Sequence, residues 1–369
     1  MKQKFKHKHI MSILAICSIF VFSLTACSQN IQTAAHTNSR TDSTSPTYKD
    51  VVFATVKNDD GKTKKLRMNI FKQNKSSKNT PVLVYIHGGA WAMGDYKCEV
   101  NVNTKLAAKA TKSLNKHKSP SEYSSFKSVV KDGITFVSVD YRLSTEAAFP
   151  AQIYDVKGSI RYLRANAKKY GIDPNRIAVC GESAGGHLAA LLATSGGVKE
   201  LEGDVGGNLN FSSKVIACVD FFGPTDLLSM GPEMDPSIQS PADAAKMHDS
   251  PDAAESKLLG FDKSGQGVGV LRQLRDKNDT SSPYWSKVKL AELGSPINNV
   301  TSDDPPTFIA HGGNDTLVPI KESLKFSLAL THAGVKNTFM TYSKDPHGYQ
   351  SPSITNSALK WIKLQLKSK

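Results

Sequence analysis

The residues best suited to chemistry lie in Gly181-Glu182-Ser183-Ala184-Gly185, a serine with a glycine two positions away on either side. Ahead of it, Arg176-Ile177-Ala178-Val179-Cys180 is short and apolar and reads as a buried strand; behind it, Gly186-His187-Leu188-Ala189-Ala190-Leu191-Leu192-Ala193 is rich in helix formers. A serine on such a strand-to-helix turn is pushed out at the strand's C-terminal end, and the glycines allow the close backbone approach that the turn requires. The helix N-terminus offers unpaired N–H groups to a developing oxyanion. A serine hydroxyl is a poor nucleophile near neutral pH, so it needs a histidine as general base and a carboxylate to fix that histidine's tautomer.

Both partners are expected on loops after later strands. Asp315 lies in His311-Gly312-Gly313-Asn314-Asp315, after the apolar run Pro306 to Ala310, and His347 lies in Asp345-Pro346-His347-Gly348, after Thr338 to Tyr342. Asp345 and Asp226 are competing acids, but the strand-end position and flanking glycines favour Asp315. An oxyanion hole is expected where the apolar run Val82 to Ile86 ends in His87-Gly88-Gly89-Ala90-Trp91. Two glycines after a buried strand let the chain pass close to a ligand and aim N–H groups at it. His87 is read as orienting this loop, His187 as part of the helix behind Ser183, and His311 as ending a strand. No His, Cys or Asp set has the spacing of a metal site, and no cofactor is expected.

The elements that must position these groups alternate. A hairpin with an Asp60-Gly61 turn opens the body, followed by strands at Val82 to Ile86, Ile134 to Val139, Arg176 to Cys180, Val215 to Phe221, Pro306 to Ala310 and Thr338 to Tyr342. Helical spacing appears at Lys105 to Ala110, Gln152 to Tyr170, Ile320 to His332 and Ile354 to Leu366, while the Lys/Ser-rich stretch Thr111 to Ser128 reads as a surface insertion. The expected fold is α/β: an eight-stranded, mostly parallel sheet with helices on both faces and an irregular cap inserted at about residues 228–304.

At 369 residues and 39% hydrophobic, 22% charged composition, the chain is globular rather than disordered. The basic stretch Met1 to His9, the apolar run Ile10 to Leu24 and Leu24-Thr25-Ala26 have the order of a secretory signal, residues 1–26. Cys27 directly after Leu-Thr-Ala resembles the bacterial lipobox, which implies lipidation of Cys27 and a membrane-anchored, extracytoplasmic protein. Residues 27–47 then form a polar, flexible tether and residues 48–369 the catalytic domain. Loss of residues 1–26 takes away four lysines and no acid, lowering the formal charge from +14 to +10. The remaining lysines are scattered and no nucleic-acid motif accompanies them, so a solvated surface near a membrane is expected. Cys98, Cys180 and Cys218 remain, and the latter two, inside apolar strands, are expected as buried thiols rather than a disulfide.

Taken together, His87 to Trp91, Val139-Asp140-Tyr141-Arg142-Leu143, Phe149-Pro150-Ala151, Gly181 to Gly186, Pro305 to Pro319 and His347-Gly348 resemble the α/β-hydrolase esterase/lipase group, close to hormone-sensitive-lipase-like and feruloyl-esterase-like carboxylesterases. The likeness spans roughly residues 50–367 and the chain order Ser, Asp, His is that of α/β-hydrolases. It implies Ser183 as nucleophile, His347 as base, Asp315 as acid, and the N–H groups of Gly88, Gly89 and Ala184 as the oxyanion hole of a carboxylesterase; the polar cap from Leu228 to Asp304, without the extended apolar surface of an interfacial lipase, points to soluble, short-acyl small-molecule esters. Ala90 stands where the group usually has a third glycine, and the insertion after Lys109 is longer than usual. Amidase or peptidase action through the same triad, and a non-catalytic binding lipoprotein on this fold, are the alternatives.

Overall fold

The computed structural model describes residues 45–98, 122–261, 266–348 and 351–367. Eight strands form one sheet: β1 (Tyr48–Lys57), β2 (Thr63–Phe71), β3 (Thr80–Ile86), β4 (Thr135–Val139), β5 (Ile172–Glu182), β6 (Cys218–Phe221), β7 (Thr307–Gly312) and β8 (Asn337–Tyr342). Their order across the sheet is β1-β2-β4-β3-β5-β6-β7-β8. The hairpin β1–β2 is antiparallel and β2 runs antiparallel to β4; every other pairing is parallel. Helices α1 (Glu122–Lys127), α2 (Ala151–Ala165) and α3 (Ala184–Thr194) fall within the first half of this alternation. Further on come α4 (Pro241–His248), α5 (Ala254–Leu258), α6 (Val268–Lys277), α7 (Trp285–Leu293), α8 (Ile320–His332) and α9 (Pro352–Lys367).

The two faces follow from the period-two alternation of the central strands. Val82, Val84 and Ile86 of β3, with Ile177 and Val179 of β5, pack under Ile153, Val156, Ile160 and Leu163 of α2 and under Leu188 and Leu191 of α3. Their neighbours Leu83, Tyr85, Ala178 and Cys180 face the other way, against Tyr123 and Phe126 of α1 and against Ile354, Ala358, Ile362 and Leu366 of α9. The four-residue spacing on α9 puts one stripe against the sheet.

Three details differ from the sequence reading. Glu122 to Ser128 is not surface: Tyr123 and Phe126 are buried core, because the spacing Tyr123, Phe126, Val129, Val130 makes one apolar face. The helix at Lys105 to Ala110 and the rest of the insertion, Thr111 to Ser121, lie outside the described residues, as do the signal segment and Cys27. β5 begins at Ile172, through Asp173-Pro174-Asn175, with a register shift against β3 between Thr80 and Val82. β6 is shorter than its apolar run; Val215 to Ala217 only lead into it, with Ile216 N–H bonding the Ile177 carbonyl.

Residues between Leu228 and Asp304 carry α4 to α7 and a small core of their own, in which Leu228, Leu259, Phe261, Val268, Leu271 and Val288 are buried together. Cys98, Cys180 and Cys218 are buried free thiols.

Candidate active site

Ser183 caps α3 with φ 53° and ψ −124°, a left-handed conformation that a residue with a side chain adopts only under constraint. The constraint is visible on both sides. The Ser183 N–H donates to the Phe221 carbonyl of β6 at 2.8 Å, and its own carbonyl accepts the His187 N–H at 2.9 Å. A methyl group at Gly185 would strike the carbonyl oxygens of Ile86 and His87, and one at Gly88 would lie 2.9 Å from the Glu182 carbonyl and 3.5 Å from the Ser183 Cβ. The loop after β3 and the turn after β5 therefore interlock with no room for side chains. This adjacency follows from β3 and β5 being neighbouring parallel strands, whose C-terminal ends share one edge.

The three residues expected to act together are in contact. The Ser183 hydroxyl lies 3.0 Å from His347 Nε2, and His347 Nδ1–H donates to Asp315 Oδ2 at 2.7 Å. Ser183, His347 and Asp315 are all buried. Asp315 Oδ1 accepts the N–H groups of Leu317 and Val318 at 2.8 and 2.9 Å. Burial alone would raise the Asp315 carboxyl, but the charge of His347 and the hydrogen bonds from His311 and His347 outweigh it and hold the group well below the ordinary carboxylate range. The carboxylate form is thus the favoured one.

The competing acids are occupied elsewhere. Asp345 accepts the Ser351 N–H at 2.5 Å and the Ser351 hydroxyl at 2.7 Å. Asp226 bonds the Leu228 N–H at 3.0 Å and lies 3.7 Å from Lys325.

Several further side chains support the site, and of these the sequence reading gave a positioning role to His87 alone. His311 Nε2 lies 2.9 Å from the Val318 carbonyl and 3.2 Å from Asp315 Oδ2, while its Nδ1 accepts from the Ser323 hydroxyl at 2.7 Å, so Asp315 is shared by two imidazoles. Phe222 stands edge-on to the His347 ring, centroids 4.8 Å apart. Trp91 Nε1–H donates to His187 Nδ1 at 3.1 Å, and His187 Nε2–H donates to the Gly294 carbonyl at 2.8 Å. Burial pushes His187 down to about 4, so it stays neutral, as those two bonds require. His87 packs its ring flat on Tyr141, 4.3 Å between centroids, and its Nδ1–H holds the Gly88 carbonyl at 2.8 Å. That bond fixes the peptide that joins Gly88 to Gly89, the one whose N–H is Gly89's.

A cavity of about 270 Å³ opens over Ser183 and His347. Ala90, Trp91 and Ala184 line it together with the serine, and α4 and α5 line it through Met247, His248 and Glu255. The first amides of α3, beginning with Ala184, have no carbonyl partner within the helix and supply positive potential beside the serine. The arrangement can take a proton from Ser183, hold it on an imidazole of fixed tautomer, and face N–H groups toward an oxygen bound next to the serine.

Known proteins share this framework. Residues 111–330 match the family described as BD-FAE. The esterase LipQ of Mycobacterium tuberculosis is 28% identical over 274 residues, 74% of this chain and 51% of that protein. A solved truncated form of a carbohydrate esterase from gut microbiota is 28% identical with a TM-score of 0.63, covering 90% of this chain and 100% of the other. A bifunctional GH43-CE protein of Bacteroides eggerthii is 27% identical with a TM-score of 0.62, covering 86% and 35%. The chain spans about half the length of curated relatives that it matches, such as LipQ. On the family match and the shared α/β-hydrolase fold, the chain belongs to the BD-FAE family.

Proposed function

We propose that the protein is a serine carboxylesterase that hydrolyses short-acyl esters of small molecules through an acyl-enzyme on Ser183. The observation that carries this reading is the unbroken chain of contacts from the Ser183 hydroxyl through His347 to Asp315. The esterase names of LipQ and of the gut carbohydrate esterase support it. In the reaction, Ser183 Oγ attacks the ester carbonyl carbon while its proton passes to His347 Nε2. The carbonyl oxygen becomes an oxyanion held by the N–H groups of Gly88, Gly89 and Ala184. Collapse breaks the bond to the alcohol, which leaves with the proton from His347. Water then attacks the acyl-enzyme by the same route, releasing the acid and restoring Ser183. Asp315 steadies the imidazolium and never takes the proton.

A fluorophosphonate probe tests the assignment: the protein should gain one adduct, on the peptide holding Ser183, and Ser183→Ala should lose both adduct and ester turnover. Turnover retained by that variant would overturn the mechanism. Arylformamide and peptide substrates, assayed beside the esters, measure the amidase alternative; faster amide than ester cleavage would replace the esterase reading.

The anchoring reading extends this to location. Cys27 carries lipid after removal of residues 1–26, and residues 27–47 hold the catalytic domain off the outer face of the membrane. Two acyl chains on one diacylglyceryl unit suffice for stable anchoring. Cys27→Ala should abolish lipid mass on the N-terminal peptide and release the protein from membrane fractions. Wild-type protein found without lipid in the medium would refute the anchor.

A further inference from the structure

The chain enters the described structure at one end of the sheet. The Thr47 hydroxyl, just ahead of β1, accepts the Lys72 N–H at 2.9 Å, and Tyr48 stands edge-on to Tyr170 with ring centroids 5.0 Å apart. Tyr48 pairs with Ile70 near the end of β2, and Phe71 pairs with Phe136 near the start of β4, so this is the end where the parallel strands begin. Ser183 lies at the other end. β5 runs from Ile172 to Glu182, and at about 3.3 Å per residue Ser183 stands roughly 30 Å from the point of entry.

The segments gathered around that point are basic. Residues 72–79, 127–132, 168–176 and 363–367 hold ten lysines or arginines and two aspartates. Contacts bring them together. Lys72 Nζ turns inward and donates to the carbonyls of Ser77 and Tyr170 at 2.7 and 2.6 Å. Lys75 Nζ stands over the Tyr48 ring at 5.4 Å and Lys169 Nζ over the Tyr170 ring at 5.1 Å. Arg176 donates to the carbonyls of Asn79 and Leu366 at 2.9 and 3.3 Å, which sets Lys78 and Lys367 on either side of it. Both aspartates are already engaged, Asp173 by Arg176 at 2.7 Å and Asp132 by Lys363 at 3.1 Å. Lys75, Lys78, Lys131, Lys168, Lys169 and Lys367 are exposed, and none of the six has an ion-pair partner among the described residues. The cap has the opposite balance: residues 228–302 hold ten Asp or Glu and eight Lys or Arg. Like charges crowded on one face repel one another, and an anionic surface laid against them offsets that repulsion.

We propose that this basic face, centred on Tyr48, is a membrane-contact surface that seats on anionic phospholipid headgroups and turns the cavity over Ser183 away from the bilayer. The choice of a membrane follows from where the chain enters: the residues ahead of β1 join the body in the middle of the basic face, and lipid on Cys27 brings that point to the headgroups. Each lysine carried there adds attraction that fades within a Debye length. The inference rests on the anchoring reading for its partner and leaves the chemistry at Ser183 unchanged.

Lysine acylation of the purified full-length protein tests it, on vesicles of phosphatidylcholine alone and on vesicles with about 30% phosphatidylglycerol. Acylation of Lys75, Lys78, Lys168 and Lys169 should be slower by on the order of 10-fold on the anionic vesicles than on the neutral ones. Lys277 in the cap and Lys321 at the start of α8 should react equally on both. About 1 M salt, which shortens the Debye length to about 3 Å, should remove the protection. Lys168→Glu combined with Lys169→Glu should return Lys75 and Lys78 to nearly the neutral-vesicle rate and keep wild-type turnover of p-nitrophenyl acetate in solution; Lys277→Glu combined with Lys321→Glu should leave the protection intact. Equal rates on the two kinds of vesicle, protection that survives high salt, or equal protection at Lys277 and Lys321 would overturn the proposal, as would capture by a soluble polyanion without protection on vesicles. Flotation with the neutral vesicles reads the anchor separately: protein that stays behind there yet is protected on the anionic ones loses the anchor and keeps the face.

Discussion

The indole N–H of Trp91 donates to Nδ1 of His187 at 3.1 Å, so one hydrogen bond ties the loop after β3 to the helix behind Ser183. His187 in turn holds the Gly294 carbonyl just past α7, extending the tie to the end of the cap. Trp91→Phe keeps most of the ring but removes the donor, leaving His187 Nδ1 buried and unmatched. A loss of about 1–3 kcal/mol in denaturant unfolding is expected. Because the loop also carries Gly88 and Gly89, kcat should fall by roughly 10-fold as their N–H groups lose alignment. Wild-type stability and kcat in this variant would show that the bond contributes nothing.

His347→Ala and Asp315→Asn should each lower kcat by on the order of 10³ or more, since the members of such a relay act as a unit. Asp345→Asn should cost less than 10-fold in kcat. Its carboxylate serves Ser351 rather than His347, so its loss loosens the start of α9 and leaves the imidazole's partner in place. Steady-state kinetics on one soluble ester decide between Asp315 and Asp345. A near-silent Asp315→Asn beside a crippled Asp345→Asn would reverse the assignment.

Glu182, next to Ser183, is expected to make stability depend on pH. Burial pushes its carboxyl up to about 7, against the lowering effect of the Tyr85 hydroxyl bonded to Oε1 at 2.7 Å, and Oε2 has no partner among the described residues. An unfolded glutamate titrates near about 4.3, so the folded state binds the proton more tightly. The sign follows: this contribution to stability is fully present below about 4.3 and is lost as pH rises through about 7. Glu182→Gln cannot ionise. Relative to the wild type it should gain stability between about pH 5 and about pH 7 and level off above that in urea titrations. A difference that stays constant across that range would show that Glu182 is ionised in the fold.

Acyl length is bounded by the size of the cavity, about 270 Å³, at or below the small end of common ligand pockets. Turnover on p-nitrophenyl esters should be highest for acyl groups of two to four carbons and should decline beyond about ten. Rates that climb with chain length, or that jump on emulsified lipid, would contradict this.

Much of the site was legible because its parts sit at strand ends. The apolar runs before Ser183, Asp315 and His347 mark β5, β7 and β8, and parallel strands bring their C-terminal ends to one edge whatever their order. The order itself, with β4 inserted between β2 and β3, carries no local signature. Nor do contacts made across the fold. His311 reads as a strand end, yet its ring reaches Asp315 because residues 312–318 curl back under it. His248 and Glu255 are seven residues apart, and only the packing of α4 against α5 turns them toward the serine's cavity. Asp173-Pro174-Asn175 stands ahead of the strand read at Arg176 to Cys180 yet lies within β5, at the irregularity where β5 shifts register against β3.

Among the described residues β8 is the last strand of the sheet, hydrogen-bonded to β7 alone, and its residues are half-buried or exposed along their length. His347 hangs five residues beyond it, while Ser183 stands on β5 in the middle of the sheet. The two halves of the relay therefore rest on supports of unequal firmness. An edge strand opens at lower free energy than the central strands, and when β8 peels from β7 His347 is withdrawn from a Ser183 that remains in place. Inactivation by urea should accordingly run ahead of global unfolding, with ester turnover falling at a lower concentration than the loss of circular dichroism, and with Ser183 still sheltered in its turn when the enzyme is already silent.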